Sequence, residues 1–301
     1  MKTTIGIPRA LLYYEYGEFW CSFFDNLDIS YILSPITNKK IIARGTHLMN
    51  DEACLSLKIF IGHVDYLKDK CEYILVPRIG SIEKTGVVCT NFNALYDITS
   101  NIFKKQKLLD YNLDIKNNKN EYSEFMNIAQ TLGISYSKAK KAYVNAKRTV
   151  REKKQKQYAI RSLSFSSTRK KILLVGHSYN LKEEFIGGFL IDFLNNEGLE
   201  VILSTNNTKN KKLYKKLMPT MYFSYNKIYV NSLINDIKKV DGIILISAFP
   251  CGNDSLVNEM ILRKVKNIPI INIIFDELSE NAGLITRLES FCDILKNEEN
   301  K

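Results

Sequence analysis

Six cysteines stand at positions 21, 54, 71, 89, 251 and 292, and their surroundings separate them into two groups. No Cys-x-x-Cys pair is present, so spacing alone specifies neither a zinc knuckle nor a dithiol redox motif. A lone cysteine is most often a small buried hydrophobe. Cys251 has a different setting: Ser247-Ala248-Phe249-Pro250-Cys251-Gly252-Asn253-Asp254-Ser255 follows an apolar run of strand length and precedes a helical pattern. In open α/β sheets the carboxyl end of a strand is where ligands bind, and a helix amino-terminus favours thiolate. Gly252 permits close approach there, and Asp254 or Ser255 can cap the helix. Cys54, in Asp51-Glu52-Ala53-Cys54-Leu55-Ser56, falls in the first turn of another predicted helix. Cys89 follows Val87-Val88 and is expected to close a short strand. Cys21 and Cys292 lie inside apolar helical patterns and Cys71 just precedes a strand, so these three are read as structural.

Two histidines stand beside glycines, in Gly62-His63 and Gly176-His177. His63 sits in an apolar helical pattern, where a packed histidine is the simpler reading. His177 follows the strand Ile172–Val175 and belongs to a sheet edge, as Cys251 does. Nucleotide signatures are weak: there is no P-loop, and Val175-Gly176-His177-Ser178-Tyr179-Asn180 lacks the dinucleotide-binding glycine spacing. Gly187-Gly188 is read as close helix–strand packing.

The elements that must position these residues alternate. Strands are predicted at 3–7, 30–33 and 73–76, the last ended by Pro77, with helices over 8–27 and from Asp51 through Val64. From Ser137 to Gln157, Ala139, Ala142, Tyr143, Ala146 and Val150 form a narrow apolar stripe on an otherwise cationic helix. Ser162–Thr168 reads as a linker. A second alternating series follows, with strands at 172–175, 199–203, 243–247 and 268–274 and helices over 183–196, ending at 236–239, over 255–265 and over about 282–295. The expectation is an α/β protein with two Rossmann-like domains of parallel sheet, residues 1–110 and 169–301, joined by a basic helical segment at 111–168.

Composition supports a globular chain: 301 residues, 45% hydrophobic and 25% charged. No apolar run approaches the ~20 residues of a membrane span, and the amino-terminal residues lack a leader pattern, so a cytoplasmic protein without membrane contact is expected. The net charge of +11 is local. Residues 104–171 hold 18 Lys/Arg against 5 Asp/Glu, and the rest holds 25 against 27. The cations do not interleave with aromatics, which argues against nucleic acid. A homo-oligomer is compatible with this composition.

The string Ile5-Gly6-Ile7-Pro8-Arg9-Ala10-Leu11-Leu12-Tyr13-Tyr14-Glu15, with Phe19-Trp20 and Phe23-Phe24, resembles the opening of the acyl-CoA dehydratase activase-related proteins, within the 2-hydroxyacyl-CoA dehydratase and benzoyl-CoA reductase superfamily. The likeness continues through Ser34-Pro35-Ile36-Thr37, Asp51–Cys54, Lys58, Gly62-His63 and Val76-Pro77-Arg78. It resumes at Val175-Gly176-His177, Tyr179-Asn180, Glu184–Gly188, Phe249–Gly252, Asp276-Glu277, Ala282-Gly283 and Thr286-Arg287-Leu288-Glu289. Departures are Ser56 and Thr90, where the family usually has proline, and Leu278 in place of a common histidine.

The resemblance implies a [4Fe–4S] cluster in the cleft between the two domains, with Cys54, Cys89 and Cys251 as ligands and one iron open. It implies electrons from a separate ATP-dependent activase and a small-molecule or acyl-CoA substrate. Arg9, Lys58, His63, Arg78 and Arg287 are then candidates for contacts around the cluster or to an anion, and Glu52, His177, Asp254 and Glu277 for proton transfer. A non-catalytic electron carrier and a zinc-stabilised structural protein are the alternatives.

Overall fold

The computed structural model describes residues 3–205, 210–278 and 281–297; Met1 and Lys2 of the amino-terminal stretch lie outside them. The chain divides into two units, Met1–Lys156 with Tyr222–Ser224, and Gln157–Met221 with Tyr225–Lys301.

The first unit is built on β1 (Thr4–Ile7), α1 (Tyr13–Asp25), β2 (Ser30–Leu33), α2 (Lys39–Leu48), α3 (Leu55–Leu67), β3 (Tyr73–Ser81), α4 (Thr90–Ile102), β4 (Lys107–Asp114), α5 (Glu121–Thr131) and α6 (Tyr136–Ser164). Its sheet is parallel, in the order β2-β1-β3-β4. β3 runs through Pro77, past the predicted end. β1 stops pairing with it at Ile74, so at Pro77 that side of β3 is an edge, where a missing N–H breaks no ladder bond. Trp20 is 1% exposed, stacked against Tyr16 and edge-on to Tyr111, in a core shared with Phe23, Phe24 and Phe125.

α2 is held at its start by Asn38, whose side chain accepts from the N–H groups of Lys40 and Ile41. It crosses α3 with no room to spare. A Cβ on Gly45 would stand 1.8 Å from the Lys58 carbonyl oxygen, and one on Gly62 would stand 2.1 Å from that of Ile41. The glycine beside His63 is therefore a packing requirement of two helices.

α6 is longer than predicted, running on to Ser164 through half of the expected linker, and the division between units falls inside it. Ala139, Ala142, Tyr143 and Ala146 are its buried residues, as the stripe requires. Tyr143 packs on Phe19 and Phe125 and donates to Glu121 Oε1 at 2.9 Å.

The second unit contains β5 (Lys171–Val175), α7 (Ser178–Leu181), α8 (Phe189–Asn196), β6 (Glu200–Leu203), α9 (Ser224–Asp236), β7 (Gly242–Ala248), α10 (Gly252–Lys264), β8 (Ile270–Phe275) and α11 (Asn281–Asn297). Its sheet, β6-β5-β7-β8, repeats the strand order of the first. All seven residues of β7 are buried, the continuous apolar strand of a parallel sheet covered on both faces. A single π-turn, Glu184–Gly188, precedes α8; a Cβ on Gly187 would come within 2.0 Å of the Leu181 carbonyl oxygen, so this glycine answers to close packing. The two parallel α/β units agree with the predicted fold class.

Candidate functional site

Cys54, Cys89 and Cys251 occupy the same local position: each is the N-cap of a helix, of α3, α4 and α10 respectively. In each case an extended residue (ψ 149°, 136° and 100°) turns the chain into the helix, and the thiol makes no capping hydrogen bond. The main chain carries the turn instead. Cys54 accepts from the Leu57 and Lys58 N–H groups, Cys89 from Phe92, and Cys251 from the Ser255 N–H and hydroxyl. All three are partly exposed, and none of the six cysteines is disulfide-bonded. For Cys89 this corrects the expectation of a strand end. Val87 makes one parallel bridge to Phe223, and the helix starts three residues later, at Thr90.

The other three cysteines differ. Desolvation pushes the thiols of Cys21, Cys71 and Cys292 up to about 11, which disfavours their thiolate forms.

In parallel α/β units every helix following a strand begins on the carboxyl side of the sheet. α4 shows this directly: Arg78, in β3, donates to the Asn93 carbonyl and to both oxygens of Asp97, so the first turns of α4 lie level with the carboxyl half of β3. Leu67, at the far end of α3, lies beside Gly6 in β1. The 13 residues of α3, about 20 Å of helix, carry Cys54 well toward the carboxyl side.

In the second unit, β5 and β7 are neighbours and the chain leaves them in opposite lateral directions, the topological switch point of this sheet. The loop after β5 carries His177, the loop after β7 carries Cys251, and Asp254 lies in the first turn of α10. His177 Nε2 lies 2.8 Å from Asp254 Oδ1, and both side chains are buried. That oxygen also accepts from Asn226 Nδ2 at 3.0 Å and Tyr229 Oη at 3.3 Å. The His177 ring is stacked on Tyr179 and meets the edges of Tyr225 and Tyr229. Burial, with the charges of Asp254 and Cys251 nearby, holds the Tyr229 phenol well above its ordinary range. Tyr229 and Asn226 are not singled out by the sequence; their spacing of three on α9 puts them on one face, but α9 carries polar residues throughout, so no local pattern marks the pair.

The remaining predicted residues each have their own local surroundings. His63 is fully buried, with Nε2 2.9 Å from Thr37 Oγ1; burial, with the Arg9 charge adding, lowers its pKa to about 3, so it is neutral. Arg9 donates its backbone N–H to Ser34 Oγ at 2.7 Å, in a turn where Leu11 adopts a left-handed φ of 48°. Lys58 is buried and donates to the Asp51 carbonyl. Arg78 is engaged bidentately by Asp97, Glu52 is exposed, and Glu277 is half-buried. Arg287 is exposed and donates to the Asn272 carbonyl at 2.7 Å. Leu278 is exposed.

The sequence pattern of the family described as "CoA enzyme activase uncharacterised domain" matches residues 4–206. The chain belongs to this family. The matched span holds all of the first unit's strands and β5 and β6, and with them Cys54, Cys89 and His177; Cys251 and Asp254 lie beyond it. No curated protein matches the chain. Among solved structures, an alpha/beta-galactoside alpha-2,3-sialyltransferase from Photobacterium phosphoreum aligns over 90% of this chain and 99% of its own, at 13% identity and a TM-score of 0.21, a likeness too low to carry any argument. No helix among the described residues is long and apolar enough to cross a membrane.

Among the described residues no group of three or more His, Cys, Asp and Glu side chains is arranged to hold a metal ion. Cys54, Cys89 and Cys251 are partly exposed thiols at helix amino-termini, positions that favour thiolate, the donor form that soft metal centres take.

Proposed function

We propose that this member of the activase-related CoA enzyme family is a cytoplasmic [4Fe–4S] protein of the 2-hydroxyacyl-CoA dehydratase type. In this reading it takes low-potential electrons from a separate ATP-dependent activase and reduces or dehydrates a small-molecule or acyl-CoA substrate. The observation that carries the proposal is the shared N-cap position of Cys54, Cys89 and Cys251, whereas Cys21, Cys71 and Cys292 cap no helix and have thiols raised to about 11 by desolvation.

Cys54, Cys89 and Cys251 would hold the cluster as thiolates, and when bound it supplies one-electron chemistry with one iron open to substrate. The helix amino-termini behind the three sulfurs favour negative charge on them. His177, with Nε2 2.8 Å from the Asp254 carboxylate, is a candidate for proton transfer, as are Asp254, Glu52 and Glu277. Arg9, Lys58, His63, Arg78 and Arg287 are the candidates for polar contacts to the cluster or to an anionic substrate, where hydrogen bonds to sulfur raise the potential.

Iron and acid-labile sulfide per chain, on protein purified without oxygen, test the reading. About four of each is expected for one cubane, lost in Cys54→Ala, Cys89→Ala and Cys251→Ala and kept in Cys292→Ala. Zinc or no metal, with no response to those substitutions after reconstitution, overturns it. Given a cluster, oxidation of its reduced form by an acyl-CoA supports the enzyme, and indifference to every acyl-CoA and small reducible compound leaves an electron carrier.

A further inference from the structure

The strongest charged feature of the chain lies away from the cysteines, on α6. Between Lys138 and Lys156 this helix exposes Lys138, Lys140, Lys141, Lys147, Arg148, Arg151, Lys153, Lys154 and Lys156 against one acid, Glu152. Its inner side is settled by Ala139, Ala142 and Ala146, with Lys138 reaching the Leu27 carbonyl and Asn145 the Asn26 side chain. On the opposite side Lys140, Val144, Lys147, Arg151 and Lys154 recur at intervals of four, three, four and three residues, which places them in one row along the helix. The row is about 20 Å long. Val144, an apolar side chain 58% exposed, sits within it among cations.

We infer that this row is a docking face for an acidic amphipathic helix of a partner protein. A 3-4 spaced row is the surface against which a second helix packs ridge into groove. The cations select glutamate or aspartate along the incoming helix, and Val144 takes one apolar residue from it. A second copy of this chain is a poor occupant: it carries the same cationic row, and outside residues 104–171 its charges nearly balance. Nucleic acid fits less well, because an apolar side chain in the row gains nothing against phosphate, and no exposed aromatic in the row offers a stacking platform. The inference does not depend on a cluster being bound.

The test uses the full chain, with a synthetic glutamate-rich amphipathic helical peptide carrying one leucine, and a short mixed-sequence duplex DNA, as fluorescent probes. The peptide is expected to bind at low salt and to weaken as salt rises. Lys147→Glu with Arg151→Glu should weaken it by at least about tenfold. Val144→Ser should weaken the peptide at unchanged charge and leave any DNA binding unaltered. Circular dichroism confirms that these exposed substitutions leave the helix content unchanged. DNA binding as tight as peptide binding and indifferent to Val144 overturns the inference in favour of nucleic acid. Binding of neither probe overturns it in favour of a merely solvated face.

Discussion

His177 and Asp254, 77 residues apart, meet at 2.8 Å because β5 and β7 are adjacent and each ends in a loop on the same side of the sheet. Asp254 Oδ1 receives the histidine, Asn226 and Tyr229 together, all inside the second unit. Asp254→Ala leaves those groups buried without their acceptor, each such loss costing about 1–3 kcal/mol. A destabilisation of about 3 kcal/mol is expected. Hydrogen exchange should show it in β5–β8, with β1–β4 unchanged; uniform loss of protection, or none, contradicts the arrangement.

His63 gives the first unit a dependence on acid. Its folded pKa, about 3, lies below the ordinary histidine value because burial disfavours the charged ring. The unfolded chain therefore binds a proton that the folded chain refuses. The associated stability is complete above the unfolded value near 6.5 and is lost as pH falls from there toward 3, at up to about 1.4 kcal/mol per pH unit. Urea midpoints measured from pH 7 to pH 5 should fall more steeply for the natural chain than for His63→Gln. Parallel curves would mean that His63 is not held neutral.

Glycine-to-alanine changes should split by location. In helices the change ordinarily stabilises, by up to about 1 kcal/mol. At Gly45 or Gly62 the new methyl meets the backbone of the facing helix, so a loss of about 3 kcal/mol or more is expected. At Gly252, beside Cys251, nothing stands within 4 Å of the added Cβ, and the melting temperature should stay or rise slightly. Equal effects at all three positions would refute the tight α2–α3 crossing.

Much of this architecture is legible in local sequence, and the exceptions share a physical cause. Cys54 and Cys251 are recognisable at helix starts because the residues around them carry cap and turn chemistry. Cys89 is misread because Val87-Val88 has strand composition, while its one pairing partner, Phe223, lies far along the chain. β3 continues through Pro77 for a reason found in the length of β1, and the meeting of Asp254 with His177 depends on strand order. α2 is missed because its ten residues bury only Ile41, Ile42 and Gly45, too few to mark a face. Arg78 pairs with Asp97, an exposed carboxylate whose preference for this guanidinium no local pattern records.

Trp20 is the chain's single tryptophan, packed in the aromatic core of the first unit. Its emission is therefore a built-in optical label for one half of the molecule. Selective tryptophan excitation follows the melting of β1–β4 and their helices, and is blind to events confined to β5–β8. Far-ultraviolet dichroism sees both halves. An unfolding curve in which the two signals part company would give the stability of each half from unlabelled, full-length protein, and a ligand bound solely by the second unit would move the dichroism and leave the fluorescence where it was.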